Sequence, residues 1–201
     1  MQSMINFINI SSTKPYKIFR NYYSKALLNN QKSIEAIVIS SFNKTTNEVE
    51  SRFVNLKYIN NQDWIFFSDY NSRKAQDFVT HDQISALFFW KSINVQIRLK
   101  AYLKKTDKKF SDTHFAKRSL KKNALAISSN QSKFINSYQE VYENFNHTLN
   151  NKDLSLRPDD WGGYSFVPYY FEFWEGHESR INKRVVYQIK NNEWNQYFLQ
   201  P

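Results

Sequence analysis

Residues 161–184 read WGGYSFVPYYFEFWEGHESRINKR, and the architecture of the chain can be worked out from this stretch. Aromatic and β-branched residues dominate positions 164–174 and 184–189, which is typical of β-strands. The polar segment EGHESRINK separates the two runs. A polar turn, NN, then precedes a third run at 194–199. The stretch and its continuation therefore predict three strands.

The same texture extends upstream of this stretch. Short β-rich runs lie at residues 34–42, 52–59, 64–68, 84–90 and 95–103. The spacing of apolar residues predicts helices over 16–27 and 132–149, and Ser72 is a suitable N-cap for a short helix over 72–80. Phe110, His114, Phe115 and Arg118 can share a further helical face. We predict an α+β fold, one mainly antiparallel barrel with flanking helices, after a flexible arm at residues 1–13. We expect residues 14–201 to form a single domain.

The net charge and the lengths of the apolar runs indicate which kinds of partner the protein can bind. The chain has 201 residues and a net charge of +10, with many of its Lys and Arg residues between positions 100 and 122. Such a balance indicates a polyanionic partner, either a nucleic acid or a phosphorylated ligand. No apolar run approaches the roughly 20 residues needed to span a bilayer, and the first residues lack a secretory pattern, so we expect a cytoplasmic protein with no membrane partner.

Several kinds of active site are excluded by composition. Without cysteine, the chain has no disulfide framework, Cys-ligated metal or thiol nucleophile. With only three glycines, at positions 162, 163 and 176, it has no dinucleotide or phosphate-loop fingerprint and no GxSxG elbow. No two of the four histidines have the short spacing of a metal pair, so we expect no metal site.

Short motifs along nearly the whole chain carry a resemblance. They are RFVNLK at 52–57, FFSDYNSRKAQ at 66–76, FFWKSINVQIR at 88–98, QS at 131–132 and the stretch 161–184. In this order they resemble the pyridoxamine 5′-phosphate oxidase family, from about Lys14 to Pro201.

The resemblance implies a split-barrel fold and a homodimer with FMN bound between the subunits. It also implies oxidation of pyridoxine or pyridoxamine 5′-phosphate to pyridoxal 5′-phosphate, with O₂ as acceptor and H₂O₂ as product. The implied FMN-binding residues are Arg52, Phe53, Val54, Asn55, Leu56, Lys57, Phe67, Ser68, Arg73, Lys74, Gln96, Gln131, Ser132, Trp174 and Arg184.

The chemistry of these residue types agrees with the resemblance. FMN ends in a phosphate dianion, and Arg52, Arg73 and Lys74 can form charge-assisted bonds to it, with Ser68 and Ser132 as hydroxyl donors. Arg73 and Lys74 also follow a predicted N-cap, where free backbone N–H groups favour anions.

The substrate side departs from the family pattern. The implied phosphate ligands are Lys57, His114, Arg118 and Lys122, where the family has Lys, Tyr, Arg and Ser. At the ring end the family's Arg-x-His becomes Arg180-Ile181-Asn182, so Arg180 and Asn182 are the implied catalytic and substrate-binding pair. Ser165 stands where the family's WGGxR element has Arg.

Two other functions stay open at this point. The loss of the family histidine at Asn182 is compatible with a relative that binds FMN or pyridoxal phosphate with little oxidase activity, or that uses another substrate. The basic run is compatible with a nucleic-acid-binding module. We disfavour the latter because no nucleic-acid motif is present and the run coincides with the implied phosphate pocket.

Overall fold

A computed structural model describes residues 4–201 of the chain. Within this range, ten strands form one sheet and five α-helices flank it. The strands are β1 (Asn6–Ile8), β2 (Ala36–Asn43), β3 (Glu48–Asn55), β4 (Tyr58–Asn60), β5 (Asp63–Asp69), β6 (Gln83–Trp90), β7 (Val95–Lys105), β8 (Trp161–Glu175), β9 (Lys183–Lys190) and β10 (Glu193–Leu199). The helices are α1 (Lys14–Leu28), α2 (Arg73–Thr80), α3 (Lys108–Ala116), α4 (Leu120–Ser128) and α5 (Tyr138–Asn151). The α+β class is confirmed.

Strand β8 organises the sheet. On one side it pairs with β7 over residues 164–175. On its other side, residues 161–166 pair with β5 and residues 170–175 pair with β9. The register with β7 shifts opposite Pro168, where an irregular ladder tolerates a residue that has no N–H to donate. Because β8 changes partner along its length, the sheet branches there.

The sheet path runs β1-β4-β5-β8-β7-β6-β2-β3, with β9 and β10 branching from β8. All pairs are antiparallel except β1 with β4. This confirms the mainly antiparallel pairing expected from the short strands.

Helix α1 closes one end of the core. Tyr16, Phe19 and Tyr23 lie on its buried face, as the helical spacing predicts. The Phe19 ring centroid lies 4.5 Å from that of Trp64 and 5.5 Å from that of Trp90. Aromatic rings at such separations add to the free energy gained from burial. None of the helices within residues 4–201 has both the length and the apolar character needed to cross a membrane.

Three segments differ from the expected elements. The run at 52–59 is divided between β3 and β4, because Leu56 N donates to Glu35 O and Lys57 N donates to Ile65 O, so the chain changes neighbour there. The helix expected over 132–149 begins at Tyr138, capped by the Ser137 hydroxyl. The basic run begins on β7, and its remainder folds into parts of two helices, α3 and α4, instead of one.

The expected N-terminal arm contains a strand. Residues 1–3 of it lie outside the described residues, but Asn6–Ile8 pairs in parallel with Tyr58–Asn60. The Ile5 backbone N–H also donates to the Tyr23 hydroxyl at 3.1 Å. These contacts attach the segment to the sheet and to α1.

We expect Gly163→Ala to lower the free energy of unfolding by about 1–3 kcal/mol, the usual cost of overpacking. A Cβ at Gly163 would lie 2.5 Å from Thr106 Oγ1 and 2.9 Å from Thr106 Cγ2. Denaturant unfolding measures the loss. Thr106→Ala in the Gly163→Ala background should recover part of it, and a Gly163→Ala protein of native stability would contradict the packing argument.

Candidate functional site

A cleft of about 360 Å³ lies at one end of β5, between the end of β3 and helices α3 and α4. The predicted site residues that line it are Phe53, Val54, Asn55, Lys57, Phe67, Ser68, Lys74, His114, Arg118, Lys122 and Gln131. Residues from both halves of the predicted set, the FMN ligands and the substrate-phosphate ligands, therefore share one cavity. Asp69 and Trp161 also line it.

One end of the cleft is built around the buried ammonium group of Lys74. Its Nζ donates to Ser68 Oγ at 3.0 Å and to Ser72 Oγ at 3.1 Å, and Ser68 Oγ donates to Gln131 Oε1. No ion pair within residues 4–201 includes Lys74. Burial, with the Arg52 charge, lowers the pKa of Lys74 to about 8. This end offers an anion the ammonium group of Lys74, which has one N–H left beyond its bonds to the two hydroxyls.

The other end of the cleft is formed by stacked aromatic rings, with the guanidinium of Arg118 packed against one of them. The His114 ring lies parallel to Phe67, with centroids 3.6 Å apart, and Trp161 lies parallel to both rings. Arg118 sits over the Trp161 ring at 4.2 Å. Sequence reasoning gave Trp161 no role, although it opens the WGG motif. Stacking holds these side chains in one orientation.

The guanidinium of Arg118 is only partly satisfied. Its Nη2 donates to Lys122 O at 2.9 Å, but Nη1 is buried without a hydrogen-bond partner. Burial also lowers the pKa of Arg118 to about 10. A buried donor that lacks a partner costs free energy, and an anion in the cleft would remove that cost.

The cleft has an excess of positive charge. Burial and then the charges of Arg118, Lys57, Lys117 and Lys122 lower the pKa of His114 to about 4, so the imidazole is neutral at neutral pH. Lys57 also has a lowered pKa, mainly from burial, which Glu35 opposes. Asp69, the carboxylate in the lining, accepts bonds from the Asn71 and Gln131 backbone N–H groups. Phosphate dianions fit this charge balance.

Seven predicted FMN ligands do not line the cleft, and four of them lie at separate places in the fold. Arg52 Nη1 donates to Ser41 Oγ at 2.6 Å, and its Nη2 lies 3.2 Å from the carboxylates of Asp77 and Glu50. Arg73 is exposed and pairs with Glu48 and Glu50. Leu56 is fully buried in the core, and Ser132 is exposed with a φ of 70°. Their roles toward FMN stay predictions.

The remaining predicted residues form a second group. Gln96, Trp174 and Arg184 are direct cross-strand neighbours on β7, β8 and β9. Arg184 is held by the buried carboxylate of Glu172, with Nη2 at 2.7 Å and Nε at 2.8 Å from Oε1. This row does not line the cleft of its own chain.

Arg180 and Asn182 lie in the loop between β8 and β9. Arg180 has a φ of 61° and its side chain is exposed. Asn182 Oδ1 accepts the His177 backbone N–H at 3.0 Å, so this side chain shapes its own loop. Neither residue lines the cleft.

Comparison with known proteins gives the family. A protein of Trichormus variabilis named pyridoxine/pyridoxamine 5′-phosphate oxidase is 31% identical over 194 residues, which cover 94% of this chain and 89% of the relative. The chain belongs to the pyridoxine/pyridoxamine 5′-phosphate oxidase family. A relative of the same name from Cytophaga hutchinsonii is 32% identical over 93% of this chain and 88% of its own length. The family model for the pyridoxine 5′-phosphate oxidase C-terminal dimerisation region matches residues 161–201.

Solved structures show the same fold. PhzG from Burkholderia lata, solved with tetrahydrophenazine-1-carboxylic acid, has a TM-score of 0.87 at 21% identity, covering 94% of this chain and 93% of that chain. An FMN-binding protein related to pyridoxamine 5′-phosphate oxidase, from Nostoc punctiforme, has a TM-score of 0.75 at 12% identity, covering 94% and 100% of the two chains. The split-barrel class is confirmed, and membership in the family makes FMN the cofactor of this chain.

We expect Lys74→Gln to weaken FMN binding by about 1.5–3 kcal/mol, roughly 10- to 100-fold, because the predicted hydrogen bond from the buried ammonium to the FMN phosphate would be lost. FMN binding to wild-type protein should also weaken as pH rises above about 8, where unliganded Lys74 loses its proton. Quenching of FMN fluorescence on reconstitution of the flavin-free protein measures both effects. Lys91→Gln, at an exposed lysine outside the cleft, is the matched control. Equal losses in the two variants would show that Lys74 has no special role.

Proposed function

We propose that this protein is an FMN-dependent oxidase that converts pyridoxine or pyridoxamine 5′-phosphate to pyridoxal 5′-phosphate, with O₂ as acceptor and H₂O₂ as product. The observation that carries the proposal is the pair of cationic centres in one cleft, Lys74 with its hydroxyl partners and Arg118 with its unsatisfied Nη1. The reaction needs room for two phosphates, one on the cofactor and one on the substrate. The names of the relatives support the same activity.

The residues around each cationic centre indicate which of the two phosphates it would bind. Lys74, Ser68 and Gln131 belong to motifs that resemble the family's FMN-phosphate ligands, and hydrogen bonds join them in this chain. Lys57, Arg118 and Lys122, with His114, form the other cationic wall and would hold the substrate phosphate. A phosphate fixed between these groups orients the rest of the substrate, and orientation by itself supplies a large part of catalysis.

A homodimer would complete the site. Phe53 lines the cleft and is 74% exposed. Directly opposed residues on the neighbouring strands continue from it across the sheet, in the order Val38, Leu87, Arg98 and Glu172. Directly paired residues share one face of a sheet, and alternate residues of a strand share it too. Gln96 and Trp174 therefore lie on the face that Phe53 occupies.

A twofold interface on this face brings the second group of predicted residues toward the cleft. In such an interface the same patch of each subunit contacts its copy, so the row of Gln96, Trp174 and Arg184 of one subunit can approach the Phe53 end of the other. The dimerisation region matched by the family model includes both Trp174 and Arg184. Each cleft would then combine Lys74 and Arg118 of one subunit with that row of the other.

FMN supplies the redox chemistry when bound, taking a hydride from the substrate and passing electrons to O₂. The protein binds and orients the reactants. The parallel stack of Phe67, His114 and Trp161 gives the cleft a flat, rigid wall. Trp174 would provide a second planar surface, and the Glu172 carboxylate holds Arg184 beside it. Arg180 would contact the substrate ring from the β8–β9 loop.

A second candidate is a family member that binds FMN or pyridoxal phosphate and oxidises slowly or acts on another substrate. Asn182 favours it, because its side chain bonds to the His177 backbone and cannot titrate near neutral pH. Ser165, at the family's Arg position, donates a hydrogen bond from its Oγ to Asp63 Oδ1 at 2.5 Å. Direct assay separates the two candidates.

The purified protein should be yellow with FMN and should release H₂O₂ from pyridoxine 5′-phosphate, with no step in the pH profile from position 182. We expect Asn182→His to raise the rate by less than about 10²-fold, because an orienting residue contributes less than a general acid or base. Peroxide production by both forms is the measurement. A larger gain would show that the native protein lacks an acid–base group, and inactivity of both forms would favour the second candidate.

Light scattering should give a mass near 48 kDa, twice the 24.2 kDa chain. Leu87→Asp, in the middle of the proposed interface, should yield monomers that lose FMN, because an unpaired buried carboxylate is unfavourable. Val79→Asp, at a position 84% exposed on α2, is the control and should stay dimeric. A Leu87→Asp protein that remains a flavin-loaded dimer would rule out this face.

A further inference from the structure

His114 stands where the family pattern has tyrosine, and its surroundings give the change a physical consequence. The ring is clamped between partners: it stacks on Phe67, and Nδ1 lies 2.9 Å from the Tyr58 hydroxyl. The bond to Tyr58 uses one ring nitrogen, so Nε2 is the nitrogen that can meet a ligand in the cleft. The side chain cannot leave the cavity without breaking the stack and this bond.

Cations from three segments of the chain surround this ring. Lys57 comes from the β3–β4 connection, Lys117 and Arg118 follow α3, and Lys122 lies on α4. Tyr58 on β4 adds a neutral hydroxyl. Asp69 lines the same cavity, but its carboxylate accepts two backbone N–H groups, and it is not among the groups that shift the pKa of His114.

Two effects therefore keep the imidazole neutral, its burial and these charges. A dianion bound among Lys57, Arg118 and Lys122 reverses the potential at the ring. The charged form of the ring is then favoured, because an imidazolium donates a charge-assisted hydrogen bond to phosphate and this outweighs the free-energy cost of charging a buried ring.

We propose that His114 takes up one proton from solvent as the phosphate of the substrate binds, so that this protein selects phosphomonoester dianions more strongly as the pH falls. The inference rests on the proposed function, because it places the substrate phosphate at this end of the cleft. Tyrosine, which does not titrate near neutral pH, cannot provide this coupling.

The sign of the coupling follows from linkage. A group whose pKa rises on binding makes the complex more stable as pH falls from its bound pKa to its free pKa. With a free pKa of about 4 and a bound pKa at the ordinary value of roughly 6.5, affinity should rise roughly 30-fold from pH 8 to pH 5.

The test uses the FMN-loaded protein and sulfate, a dianion shaped like phosphate that does not itself titrate in this range. NMR of ¹⁵N-labelled histidine follows each ring against pH, with and without saturating sulfate, and chloride at equal ionic strength is the baseline. The signal that is absent from His114→Gln belongs to His114. Its midpoint should lie near 4 in chloride and move up by about two pH units or more in sulfate.

A matched binding series completes the test. Sulfate affinity of the wild-type protein should rise between pH 8 and pH 5, whereas His114→Gln, which keeps hydrogen-bonding capacity without a titrating ring, should lose this roughly 30-fold rise. Sulfate binding with an unmoved His114 midpoint would overturn the inference and leave the proposed phosphate pocket intact. Failure of sulfate to bind the FMN-loaded protein would overturn both.

Discussion

The fifteen-residue ladder of β8 is the constraint on which the rest of the structure depends. A strand has two edges, and β8 gives one of them to β7 while it divides the other between β5 and β9. The pairing with β5 brings Trp161 beside Phe67 and so builds a wall of the cleft. The pairing with β9 aligns Trp174 with Arg184. One wall of the cleft and the row of Gln96, Trp174 and Arg184 are thus both positioned by the pairing of a single strand.

Close backbone packing at the start of β8 supports this arrangement. Gly162 and Gly163 lie against Tyr70, Thr106 and Ser111, with no room for a Cβ at either position. The Tyr70 hydroxyl donates to Gly163 O, and Gly163 N donates to Ser111 Oγ. Helix α3 contains both Ser111 and His114. The bond to Ser111 attaches the helix to the sheet and so helps to place His114 in the cleft. The WGG motif consequently has a packing role as well as a place in the family pattern.

Electrostatics then gives the cleft its chemical character. Burial penalises the charged forms of Lys57, Lys74 and Arg118 in the cleft and lowers the pKa of each. Cations that are kept together at such a cost, with a buried guanidinium nitrogen unsatisfied, form a site already arranged for anions. The basic run at 100–122, which also suggested nucleic acid, delivers Arg118 and Lys122 to this cavity, while most of its other lysines are exposed.

The amino-acid sequence by itself determined most of the strands, helix α1, the α+β class and, through its motifs, the family. These features are local, since period-2 and helical patterns depend on neighbouring residues. Only the tertiary structure decided which basic residues share a cavity. Arg73 and Lys74 are adjacent in the sequence, yet one is exposed against Glu48 and Glu50 and the other is buried beside Ser68, because consecutive helical residues point about 100° apart. The state of His114 likewise depends on charges that three separate segments bring to it.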